Sequence, residues 1–113
     1  MALVVITLSV ATIAFAQTNG FSKISTDFQI VGKTPIDPPP NEKKDRVALF
    51  MSGAGAKRIY DSMPANPVSN ECEVGLKSKT GGGLVCLRHA DGDYACSVAI
   101  VLKTGETKPA SAC

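Results

Sequence analysis

Hydrophobic and polar positions divide the chain into three stretches. Residues 2–16, ALVVITLSVATIAFA, carry no charged side chain and end in Ala14-Phe15-Ala16. An apolar run followed by small residues at −3 and −1 is the pattern a signal peptidase reads, so residues 1–16 are expected to be a signal peptide. Cleavage would leave Gln17 at the new N-terminus. The run is shorter than the roughly 20 residues a membrane-crossing helix needs. No Lys or Arg precedes it, only the terminal amine, and no Cys follows it, which argues against a lipid anchor.

Residues 17–45 have no sustained period. They are Pro-rich, with Pro35, Pro38, Pro39 and Pro40, and end near Glu42-Lys43-Lys44. Consecutive prolines favour extended polyproline II, so this segment is expected to be a poorly ordered spacer. Within it, Phe28-Gln29-Ile30-Val31 reads as an edge strand.

Residues 46–113 carry the regular patterns. RVALFM, from Arg46 to Met51, reads as a strand, and Ser52 as a helix N-cap. Ala56, Ile59, Tyr60 and Met63 then fall on one helical face, with Lys57, Arg58, Asp61 and Ser62 on the other. Pro64 and the Asn66-Pro67 pair stop that helix, expected over Gly53–Met63. From Glu71 to Lys79 apolar and charged residues alternate, which predicts a half-buried strand with Cys72, Val74 and Leu76 on one side. Leu84–His89 and Tyr94–Leu102 read as two further strands. The fold class is α+β: one helix packed on a small antiparallel β-meander of three or four strands, with two disulfides.

The cysteines supply the disulfides. Cys72, Cys86, Cys96 and Cys113 are an even set in a chain that looks exported, the setting in which cysteines pair rather than bind metal. No C-x-x-C spacing occurs, which disfavours a zinc ribbon. Between the last two strands, Ala90-Asp91-Gly92 suits a three-residue hairpin loop with Gly92 in the left-handed region. That loop places Cys86 opposite Cys96 at a non-hydrogen-bonded position; a two-residue Asp91-Gly92 loop would place Cys86 opposite Ser97. Cys72 would then pair with Cys113. On the chain-entropy account the two links stabilise by about 3 and 4 kcal/mol, a large share of the total for a small domain.

Composition narrows the function without assigning it. A net charge of +2 is too small to argue for nucleic acid or an anionic membrane, and there is no Trp to strengthen the core. His89 in HADGD lies near Asp91 and Asp93, but a calcium loop needs six or more oxygens, and Asp and Gly also serve the turn itself. Ser52, Ser62 and Ser97 lack a G-x-S-x-G setting for a Ser–His–Asp triad. The SGAGAKR run lacks phosphate-loop spacing, leaving at most a weak anion site near Lys57 and Arg58. No catalytic residue, metal or cofactor is expected. The candidate recognition surface is Lys77, Lys79, the Gly81-Gly82-Gly83 loop, Arg88 and His89, with Lys103 on the same expected face.

SGAGAKRIYDSM, then C-x-V, then GGLVC and YACSVAIVLKTGE resemble small exported bacterial proteins that carry a helix followed by a Cys-bearing hairpin. The likeness covers roughly residues 47–113 and implies a fold, with no activity attached. The expectation is a secreted or periplasmic, non-enzymatic protein that binds another protein, with an inhibitor of an extracellular or periplasmic hydrolase as its sharpest form. The alternatives are a structural envelope component or a small hydrolase using His89.

Overall fold

The computed structural model describes residues 2–7 and 20–111. Residues 2–7 are exposed and hold no helix or strand; the rest of the expected signal segment, with Gln17, lies outside the described residues. No helix among the described residues is long and apolar enough to cross a membrane.

The elements are β1 (Ser25–Val31), β2 (Arg46–Ser52), α1 (Gly53–Ser62), β3 (Val68–Ser69), β4 (Lys77–Gly81), β5 (Leu84–Arg88), β6 (Tyr94–Val101) and β7 (Thr107–Lys108). They form one antiparallel sheet in the order β1-β2-β6-β5-β4-β3, with β7 beside β6. This corrects the expected meander of three or four strands to a sheet of seven among the described residues. β1 and the two-residue strands β3 and β7 join β2, β4, β5 and β6. β2 pairs β1 on one side and β6 on the other, since α1 carries the chain away from β2 and across the sheet before β3, β4 and β5. The edge strand expected at Phe28–Val31 is present, begins three residues earlier, and pairs along all of β2.

The alternating stretch Glu71–Lys79 is not a strand as predicted. Asn70 Oδ1 accepts from the Cys72 amide, Leu76 N donates to the Glu73 carbonyl, and Asn70 N donates to the Leu76 carbonyl. These local bonds close a loop at the expense of a ladder. Gly75, at φ 79°, completes the turn, and strand structure starts only at Lys77. Leu76, at the end of the loop, is buried.

β2 passes into α1 with no loop. Gly53, at φ 74°, takes a conformation that side-chain-bearing residues avoid, so the chain turns abruptly after Ser52. Met63, in extended geometry before Pro64, ends the helix with its amide shared between the Ile59 and Tyr60 carbonyls. Ala56 and Tyr60 press onto Cys86 and Cys96, with Met51, Ile59, Met63, Leu84 and Tyr94 around them. Ala56 is small enough for the helix to lie close, with its carbonyl oxygen 3.5 Å from Cys96 Sγ.

The Cys86–Cys96 disulfide is present in the predicted register, with Cα atoms 4.0 Å apart. Bonds from His89 N to Asp93 O and from Gly92 N to His89 O close the three-residue loop, and Gly92 has φ 94°. Two disulfides were expected; among the described residues one has both its cysteines. Cys113, and with it the Cys72–Cys113 link, lies outside the described residues, and none of the described cysteines is a free thiol.

On the face away from α1, Ala48 and Ala99 are buried. They line a cavity of about 360 Å³ together with Phe50, Pro38–Pro40 and Pro109. The proline loop is held by Thr34, whose amide and hydroxyl both donate to the Glu42 carboxylate at 2.8 and 2.6 Å.

Candidate functional site

The β5–β6 hairpin, cross-linked through Cys86 and Cys96, sets a row of side chains across the helix-bearing face. Strand register places Ser69, Lys77, Arg88 and Tyr94 side by side over four strands. Lys77 Nζ donates to Ser69 Oγ at 2.7 Å, and Arg88 is exposed. From α1, Lys57 brings its ammonium 5.5 Å from the Tyr94 ring centroid while paired with Asp61, the contact that raises the Lys57 pKa. Tyr94 packs edge-on to Tyr60 at 5.3 Å between centroids. The result is a strip of cations, Lys77 then Arg88, running up to an aromatic ring with Lys57 beside it, carried on a sheet and a helix rather than on loops.

The other candidate residues disperse. Lys79 lies two positions from Lys77 on the same face, but its Nζ donates to the Tyr60 and Met63 carbonyls under the helix end. Gly81 ends β4 and Gly82 opens the β4–β5 turn, both exposed, whereas Gly83, the second turn residue, is buried against Thr107 and Lys108 of β7, its amide donating to Thr107 Oγ1 at 3.4 Å. Lys103 follows β6, at the end of that strand remote from Tyr94. Of the expected surface, the structure therefore brings together Lys77 and Arg88.

His89 sits at the hairpin mouth with Nδ1 3.2 Å from Glu73 Oε2. It opens onto a shallow basin of about 700 Å³ shared with Ser52, Lys57, Asp91 and Asp93. Asp91 Oδ1 accepts from the Asp93 amide, a bond that shapes the turn. Among the described residues no three His, Cys, Asp or Glu side chains gather closely enough to hold a metal ion.

Sequence reasoning missed Lys57 and Tyr94 as members of the strip. The signal was available for Tyr94: the register that sets Cys86 against Cys96 also sets Arg88 against Tyr94. For Lys57 there was none, since its approach depends on how α1 crosses the sheet. Compared with protein-family models, curated proteins and solved structures, the chain matches none.

Proposed function

We propose that the protein is an exported binding module that engages an acidic surface on another protein through Lys57, Lys77, Arg88 and Tyr94. The observation that carries this reading is the cross-strand row Lys77–Arg88–Tyr94 with Lys57 above it. Arg beside a half-buried aromatic ring is the kind of anchor that dominates protein interfaces. A surface fixed by a disulfide and a sheet loses little conformational freedom on docking. The sharpest form of the reading is an inhibitor of a secreted or periplasmic hydrolase, with the strip set against acidic residues of the enzyme. The apolar residues 2–16 and the Cys86–Cys96 disulfide support export.

The test uses the oxidised exported chain as bait against envelope and extracellular extracts, in parallel with a Lys77→Glu/Arg88→Glu variant. One hydrolase retained by the native chain, inhibited by it, and lost by the variant is the expected result. Retention by both proteins, or by neither, would overturn the strip as the contact surface.

A second reading has its own observation. The His89–Glu73 contact sets an imidazole beside a basin that Ser52 also lines, groups that a small hydrolase would draw on. His89→Ala separates the two: a hydrolase loses turnover with its fold intact, while partner capture through the strip is unaffected.

A further inference from the structure

The two edges of the sheet are built differently. β3 is two residues long and follows Pro67, the kind of short edge that resists pairing. β1 is seven residues long, contains no Pro or Lys, and is exposed over six of its seven positions. Among the described residues no strand pairs its outer side.

Backbone alternation identifies the free groups. Asp45 N donates to the Val31 carbonyl, so the Val31 backbone faces β2. Thr26, Phe28 and Ile30 therefore direct their N–H and C=O groups outward. The same three side chains stand on the helix-bearing face, where Phe28 is 71% exposed and Ile30 40%. Behind them run the apolar rows Phe28–Leu49–Val98 and Ile30–Val47–Ile100.

We propose that a second copy of this chain pairs antiparallel with the outer edge of β1, about a twofold axis at Phe28, joining the two sheets into one. β1 is complementary to itself in that register. Phe28 faces Phe28 of the second copy, Thr26 faces its Ile30, and Ser25 faces its Val31, so every outward N–H and C=O finds a partner. Asp27, the only charged residue of the strand, meets the Gln29 amide of the second copy instead of another carboxylate. Centring the axis on Asp27 would oppose two carboxylates. The apolar row of Val98, Leu49 and Phe28 then continues without interruption into Phe28, Leu49 and Val98 of the second copy. β1 lies at the sheet edge away from β4 and β5, so pairing leaves Lys77 and Arg88 open on both copies. The dimer would present two basic strips, and its gain in avidity follows whatever those strips bind.

Sedimentation equilibrium of the full exported chain, up to about 1 mM because a single-strand interface is small, reads the association directly. A monomer–dimer equilibrium is expected. Phe28→Pro removes an outward N–H without touching the bonds to β2, and Ile30→Lys places a charge on the outer row; each is expected to give a monomer with unchanged circular dichroism. Phe28→Cys is expected to form a disulfide-linked dimer on oxidation, since facing Cα atoms in a hydrogen-bonded pair lie within reach of a disulfide at about 5.5 Å, whereas Gln29→Cys is not. A native chain that stays monomeric throughout, assembles beyond a dimer, or dimerises equally well as Phe28→Pro would overturn the proposal.

Discussion

Lys79 lies beneath Tyr60. Its ammonium is 4.5 Å from the ring centroid and donates to the Tyr60 carbonyl at 2.9 Å and the Met63 carbonyl at 3.2 Å. The last carbonyls of a helix have no partner within it, and a cation there also meets the negative end of the helix dipole. α1 has no basic residue in its own last turn, so a residue of β4 does this work. Lys79→Met keeps the aliphatic stem and removes the donor. It is expected to destabilise by about 1.5–3 kcal/mol, the range for a hydrogen bond to a charged group, read as a lower urea midpoint. A midpoint equal to the native chain's would show that water replaces Lys79 at no cost.

Among the described residues the hydroxyl of Tyr60 has no hydrogen-bond partner, although Tyr60 is 3% exposed. A buried donor left unmade is a penalty, and the ring is what fills the space between α1, Tyr94 and the disulfide. Tyr60→Phe is therefore expected to match or exceed the native chain in stability, while Tyr60→Ala loses about 3–5 kcal/mol through the cavity it leaves. Denaturant titration of the pair checks this, and a large loss for Tyr60→Phe would mean that the hydroxyl is bonded in solution.

How far the sequence revealed this fold depended on range. The hairpin was legible because its turn chemistry, its strand alternation and the Cys86/Cys96 pair all require one register. α1 was legible from Ala56, Ile59, Tyr60 and Met63. The pairing of β2 with β6 was not, since two strands separated by a helix and three further strands carry no local mark of their adjacency. Glu71–Lys79 misled because alternation is only a side-chain pattern, and Asn70 and Gly75 supplied a backbone alternative. Lys79 was placed among exposed cations for the same reason: its role depends on where the helix ends above it.

Gly55 makes the helix a docking surface for the chain that precedes β1. A β-carbon there would lie 2.6 Å from Ile24 Cγ1 and 3.0 Å from Ile24 Cβ, too close for a rotamer change alone to relieve. Helix propensity alone favours Ala over Gly by about 1 kcal/mol. The two effects oppose, and their balance turns on Ile24. Gly55→Ala is expected to destabilise the native chain but to stabilise an Ile24→Gly chain, which keeps no β-carbon at that position, so the substitution changes sign between backgrounds. A double-mutant cycle measures that coupling directly. Equal effects in both backgrounds would mean that residues 20–24 do not rest on α1 in solution.

Glu42 holds the proline loop closed and should report on it through pH. The Thr34 hydroxyl, then the Thr34 amide, keep its carboxyl below the ordinary value of 4.5, with Lys33 adding to the effect and burial and Asp45 opposing it. A depressed folded pKa means that the unfolded chain binds the proton first. The contribution is thus complete above the unfolded value and is lost as pH falls through the folded one. Thr34→Val removes the hydroxyl bond and raises the folded pKa towards the unfolded. The stability gap between native and Thr34→Val chains is expected to be constant near neutrality and to shrink below about pH 4.5, towards zero once Glu42 is protonated in both states. Glu42→Gln should in turn flatten the acid limb of the native profile. Urea midpoints collected across that interval decide the matter: a gap that persists undiminished in acid would assign the loss to packing of the Thr34 side chain and leave Glu42 without a part in closing the loop.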